Sequence, residues 1–192
     1  MDLFLVADIF GRTPALETIC EKLSQMVSDV QIIDPYNGVN LEFKTEAHAY
    51  DYFMTRVGLE KYQSILTDRI DPSGPNIVLI GFSVGASAIW GISPQLSLKH
   101  VKKAFCFYGS QIRHQTGVFP VFDVELIFPE QEPHFNVDIL ISRLHKKNRV
   151  TCTRTDGLHG FMNELSLHFN PACYADFIEY LKMPLTQLKS HN

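Results

Sequence analysis

The stretch Ile77-Val78-Leu79-Ile80-Gly81-Phe82-Ser83-Val84-Gly85-Ala86-Ser87 constrains this chain more than any other: an apolar run passes straight into G-x-S-x-G and then into a helical pattern. An uninterrupted apolar run of that kind suits a strand buried on both faces. A serine between strand and helix in this way sits in a strained turn, and the positions two before and two after it must be small because the two backbones pass close together. Gly81 and Gly85 meet that demand, and Ala86 extends it. The pentapeptide alone is weak, because at about 7% usage for glycine, and similar for serine, it arises by chance in roughly 6% of chains of this length. The strand before it and the helix after it make it a nucleophile elbow with Ser83 as the candidate nucleophile. A phosphate-binding loop is excluded, since no lysine follows the glycines.

The rest of the chain repeats the alternation. Leu3 to Ala7 is a compact apolar run, followed by a helix that opens with Thr13 as N-cap and Pro14 at its first position and carries Leu16, Ile19, Cys20, Leu23, Met26 and Val27 at helical spacing. A second run, Val30 to Ile33, stops at Asp34-Pro35-Tyr36. Thr45 to Ile70 reads as helix with an interruption at Gly58, closed by Asp71-Pro72-Ser73-Gly74-Pro75. Further strands are predicted at Ile77 to Ile80, Val101 to Tyr108, Val121 to Phe128 and, more weakly, Val150 to Thr155. Short apolar strands alternating with amphipathic helices predict a doubly wound α/β fold, a mostly parallel sheet with helices on both faces. No linker or repeat divides residues 1–192, so one domain is expected, and the segment between Tyr108 and Val121 is too short for a helical lid.

Composition narrows the partners. A formal net charge of −4 argues against nucleic acid, and the basic groups Lys99 to Lys103 and Lys146 to Arg149 read as helix ends and solvated turns. The four cysteines, Cys20, Cys106, Cys152 and Cys173, form no C-x-x-C pair, so neither a zinc site nor a thioredoxin-type motif is written here; they read as reduced, buried thiols. The N-terminal run lacks a basic flank and is too short for an export signal or a membrane span, so a cytoplasmic protein without membrane partners is expected.

Serine at its own pKa is a poor nucleophile, so the elbow calls for a histidine base and an acid that orients it, in the chain order serine, acid, histidine. His48, His100, His145, His168 and His191 fall in or near helices or in the tail, where solvated or capping roles are usual. His159 stands apart in Asp156-Gly157-Leu158-His159-Gly160-Phe161, a glycine-flanked loop after the last strand. The acid belongs after the preceding strand, where Phe128-Pro129-Glu130-Gln131-Glu132-Pro133-His134 offers Glu132 first, then Glu130, with Asp138 third. The oxyanion hole would combine the backbone N–H of Val84 with one from the loop after the first strand, that of Ile9.

On these residues the chain resembles the dienelactone hydrolases, a family of the α/β-hydrolase fold, over nearly its whole length. Val6-Ala7-Asp8-Ile9-Phe10-Gly11 is similar to the family's V-x-E-I-F-G segment, which supplies the second oxyanion N–H. Asp34-Pro35-Tyr36 resembles D-L-Y, Phe107-Tyr108-Gly109 resembles Y-Y-G, and Leu158-His159-Gly160-Phe161 resembles the histidine loop. The match of Leu126 to Glu132 with the segment that ends in the family's catalytic aspartate favours Glu132. The chain departs from the family in carrying Ser83 where the best-known members have cysteine, Asp8 for a glutamate, Glu132 for an aspartate, and Asn163 where a carboxylate-binding arginine often follows the histidine.

The expectation is therefore an α/β-hydrolase without a lid domain, cleaving a small ester or lactone by two-step acyl transfer, with no cofactor and no metal. Asp8, Phe10, Phe82, Tyr108 and Phe161 flank the predicted site and are expected to line its pocket. The same three residues would also serve an acyltransferase or thioesterase. The reading from a different class is a non-catalytic α/β-hydrolase-like binding module, since fold alone does not fix function.

Overall fold

The computed structural model describes the backbone of residues 1–190 and the side chains of residues 1–188; His191 lies outside the described residues. Six strands form a sheet in the order β2-β1-β3-β4-β5-β6. They are β1 (Asp2–Val6), β2 (Val30–Ile33), β3 (Ile77–Phe82), β4 (Val101–Phe107), β5 (Asp123–Phe128) and β6 (Val150–Arg154), and every neighbouring pair is parallel. Strands β1 and β3, both interior to the sheet, are apolar almost throughout and buried, as a sheet covered on both faces requires. The predicted fifth strand begins two residues later than its apolar run, because the Val121 N–H bonds out of the sheet to the Ser93 carbonyl at 2.9 Å.

The helices divide between the faces. α1 (Pro14–Ser24) starts at Thr13, whose hydroxyl accepts from the Leu16 N–H at 3.3 Å, and buries Leu16, Ile19 and Leu23. It shares one apolar layer with α6 (Pro171–Ser190). The other layer holds α2 (Glu46–Arg56), α3 (Gly58–Arg69), α4 (Val84–Ile92) and α5 (Val137–Leu144), with Phe53, Tyr62, Trp90 and Leu140 among its buried residues. The long helix expected over Thr45 to Ile70 is thus two helices, broken beside Gly58. Between β4 and β5 there is only a 3-10 turn, Ser110–His114, and no lid. His100, expected near a helix end, lies between the 3-10 turn Leu96–Leu98 and β4, and its carbonyl accepts from the Ile77 N–H at 3.3 Å. Of the cysteines only Cys106 is fully buried; the other three are half-buried, and all four are free.

The strand order places the chemistry. From β1 the chain leaves to α1 on one face, and from the adjacent β3 it leaves to α4 on the other, so a crevice opens at the carboxyl ends of these two strands. α4 can lean over that crevice only because Gly85 has no side chain. A Cβ there would fall on the carbonyl oxygens of Val6 and Ala7, and one at Gly81 would lie 2.6 Å from Ile89 Cδ1 and 2.8 Å from the Ala86 nitrogen. Gly85→Ala is accordingly expected to cost on the order of 1–3 kcal/mol, the range for overpacking, and to lower Tm by at least about 2 °C. Thermal melting checks this, and an unchanged Tm would contradict so close an approach of helix to strand.

Candidate active site

Ser83 sits between the end of β3 and the start of α4 with φ 51° and ψ −110°, a left-handed backbone that a non-glycine residue adopts only when its surroundings impose it. Those surroundings are hydrogen bonds on both sides: the Ser83 N–H donates to the Phe107 carbonyl at 2.9 Å, and the Ser83 carbonyl accepts from the Ser87 N–H and hydroxyl, both at 3.0 Å. The side chain is thereby lifted off the sheet. Its Oγ lies 3.0 Å from His159 Nε2.

His159 and Glu132 reach this point from neighbouring strands. The loops after β5 and β6 are tied together by the Glu130 N–H, which donates to the Gly157 carbonyl at 2.8 Å. Arg154 adds a clasp, its Nε and Nη2 donating to the Glu130 carbonyl at 3.1 and 2.6 Å. Within the first loop Glu132 bridges back to Phe135 in antiparallel fashion. The result sets Glu132 Oε1 2.6 Å from His159 Nδ1, with the glutamate side chain only 4% exposed. A serine, a histidine and a carboxylate thus form one continuous chain of hydrogen bonds. The other acids do not enter it: Glu130 is exposed, and Asp138 pairs with Arg154 Nη1 at 2.9 Å on the surface.

These residues line a cavity of about 700 Å³, within the usual size range of a small-molecule site. Ile9 and Val84 are in its wall, and Val84, as the first residue of α4, carries an N–H that has no partner within its own helix. Of the residues expected to line the pocket, Asp8, Phe10 and Tyr108 do so, and the Tyr108 ring centroid is 5.0 Å from that of His159. Phe82 and Phe161 do not. Phe82 is buried and stacks on Phe107 at 5.4 Å, while Phe161, fully buried, packs on Phe177 at 5.4 Å beneath α6. For both, core packing claims the ring, because each lies where an apolar side chain can be fully removed from water.

Glu46, Tyr50 and His168, also in the wall, carried no local sequence signal. Glu46 and Tyr50, on the first turns of α2, overhang the cavity, so part of its wall comes from a helix far from the elbow in sequence. Arg113 enters from the 3-10 turn after β4; its Nη1 donates to the Ser110 carbonyl at 2.7 Å and its guanidinium lies 5.4 Å from the Phe135 ring centroid. His168 also lines the cavity, its Nδ1 3.1 Å from the His159 carbonyl.

No protein-family model matches the chain. Its fold is that of the α/β-hydrolases. A dienelactone hydrolase-like promiscuous phosphotriesterase from metagenomic libraries superposes with a TM-score of 0.64 at 13% identity, covering 97% of this chain and 86% of the other. A dienelactone hydrolase from Anabaena variabilis gives 0.61 at 14% identity, over 95% and 83%, and the esterase PE8 gives 0.56 at 15%, over 95% and 91%. In sequence, the uncharacterized protein YczH of Bacillus subtilis (strain 168) is 36% identical over 142 residues, 72% of this chain and 69% of YczH. The chain belongs to the family of YczH.

Asp8 joins the two halves of the site. Its Oδ1 accepts from the Phe10 N–H at 2.9 Å and its Oδ2 from Asn163 Nδ2 at 2.6 Å, linking the loop after β1 to the histidine loop. Burial is the largest influence on its carboxyl and raises the pKa above the ordinary 3.8, against the lowering effect of these two hydrogen bonds. With the folded-state pKa raised, the folded protein keeps this proton where the unfolded chain has lost it. Stability from Asp8 is therefore full below pH 3.8 and declines as pH rises through the higher folded value. Asp8→Asn cannot ionise, so the Tm difference is expected to move in the variant's favour between about pH 3 and pH 7. Melting curves across that range test it, and a pH-independent difference would rule it out.

Proposed function

We propose that this protein is a serine hydrolase of the dienelactone-hydrolase type, cleaving a small ester or lactone through an acyl-enzyme on Ser83. The observation that carries the reading is the unbroken path from Ser83 Oγ through the His159 ring to the Glu132 carboxylate, inside a cavity that water and a small ligand can enter. His159 Nε2 takes the Ser83 proton as Oγ attacks the substrate carbonyl, and Glu132 holds Nδ1 so that the correct nitrogen faces the serine. The negative charge that develops on the carbonyl oxygen is met by the N–H groups of Val84 and Ile9. His159 then returns the proton to the leaving oxygen, which departs as alcohol. A water molecule enters, loses its proton to His159, attacks the acyl carbon, and releases the acid as Ser83 Oγ recovers its hydrogen.

Each role has its own measurable loss. A fluorophosphonate is expected to label Ser83, and Ser83→Ala to abolish both labelling and turnover of p-nitrophenyl acetate. His159→Ala is expected to do nearly as much damage, and the double variant no more than either single one, because residues that act as one unit give non-additive losses. Glu132→Gln is expected to lower kcat by up to about ten-thousandfold, while Glu130→Gln has little effect. Labelling at another serine, or equal losses from the two glutamine variants, would overturn the assignment.

The cavity also bears on substrate size and charge. With no lid between β4 and β5, there is no apolar surface to uncover at a lipid interface, and long acyl chains gain little from the site. Among the described residues Arg113 is the one lysine or arginine in the wall, and it lies on the β4 side of Ser83, whereas Asn163 occupies the position of the arginine frequent in the dienelactone hydrolases. Across p-nitrophenyl esters from acetate to palmitate, kcat/KM is expected to be highest for short chains. A carboxylate placed at the end of a short acyl group is expected to raise it, by on the order of tenfold for one charge-assisted contact. A maximum at palmitate, or a penalty for the carboxylate, would exclude this reading of the pocket.

A further inference from the structure

The loop after β1 has many of its backbone hydrogen bonds taken up within the protein. The Ala7 N–H donates to the Ile33 carbonyl at 2.9 Å, and the Gly11 N–H to the Asp8 carbonyl at 3.1 Å. The Phe10 N–H is held by Asp8 Oδ1 at 2.9 Å. Two tyrosine hydroxyls complete the set: Tyr62 donates to the Ala7 carbonyl at 2.9 Å, and Tyr36 to the Ile9 carbonyl at 2.7 Å. The N–H groups of Asp8 and Ile9 meet no acceptor among the described residues, and both residues line the cavity.

We propose that Tyr36 is a positioning residue for the oxyanion hole, its hydroxyl holding the Ile9 carbonyl so that the loop keeps the Ile9 N–H aimed into the cavity. The inference rests on the hydrolase reading above. Donors stabilise a developing oxyanion only if they are oriented before the reaction, because reorganising them would consume the energy they supply. The loop between β1 and α1 can rotate its peptides unless their carbonyls are held. The Asp8–Ile9 peptide, which bears the Ile9 N–H, is held at its carbonyl by Gly11. The next peptide, Ile9–Phe10, is held by Tyr36 and by the Asp8 side chain.

Tyr36 is itself fixed for this task. The buried Asp34 carboxylate accepts from the Tyr36 N–H at 2.7 Å and from the Gly38 N–H at 2.8 Å. The ring meets Tyr52 edge-on at 5.6 Å and covers Gly11, where a Cβ would lie 2.6 Å from Tyr36 Cδ2. Burial, with the Asp8 carboxylate nearby, pushes the phenol pKa above its ordinary value, so the hydroxyl remains a donor. Tyr36 is absent from the cavity wall, which separates holding the loop from touching substrate.

The test is Tyr36→Phe in the full chain, which keeps the ring and removes only the hydroxyl. With p-nitrophenyl acetate, kcat is expected to fall by about two- to tenfold, the kinetic equivalent of one net hydrogen bond, with KM within about twofold of the parent. Phenylboronic acid, whose tetrahedral adduct on Ser83 puts an oxygen into the hole, is expected to bind more weakly by the same factor. A merely structural role would lower Tm without linking kcat to boronate affinity. Asp34→Asn, which loosens Tyr36 while leaving its hydroxyl in place, is expected to give a smaller change in the same direction. An unaltered kcat in Tyr36→Phe, a change confined to KM, or a fall in kcat with boronate affinity intact would overturn the inference while Ser83 labelling of the parent still upholds the hydrolase reading. Absence of labelling and turnover in the parent would overturn both.

Discussion

The contact between the first turn of α4 and the end of β1 is the constraint on which the site depends. Gly85 lets the helix backbone lie against the carbonyls of Val6 and Ala7, and Gly81 lets the strand pass under Ile89 and Ala86. Those two approaches force the chain between them through a left-handed serine, since no relaxed turn fits so short a span between strand and helix. They also bring the first N–H of α4 beside the loop that leaves β1, so that the donors of Val84 and Ile9 border one cavity. A side chain at either glycine would push helix and strand apart and separate the groups that the chemistry needs together.

From this fixed point the remaining residues are recruited by hydrogen bonds between loops. The loop after β5 would be free to wander on its own. The Glu130 to Gly157 bond and the Arg154 clasp tie it to the loop after β6, and only then does the Glu132 carboxylate meet the His159 ring. On the other side Asp8 links the β1 loop to Asn163 of the histidine loop. Ser83, His159, Glu132 and the loop that carries Ile9 therefore stand at the ends of β1, β3, β5 and β6 but are joined by hydrogen bonds between their loops. Such cross-linking suits the proposed site, which would act through preoriented dipoles.

Periodicity and turn chemistry were enough to foresee the sheet, its helices on both faces, the break near Gly58 and the absence of a lid, because these follow from local patterns of burial and from glycine and proline. Ser83, His159 and Glu132 were legible for a similar reason: each lies at a fixed offset from the end of a strand. Tertiary structure alone decided which aromatic rings face the cavity. Phe82 adjoins Ser83 and Phe161 lies two residues from His159, yet both rings are drawn into the core. The overhang of Glu46 and Tyr50 and the grip of Tyr36 on Ile9 likewise have no local signal. They are contacts between segments far apart in the chain, and such contacts exist only once the packing of α2 and the loops over the sheet has fixed where each segment lies.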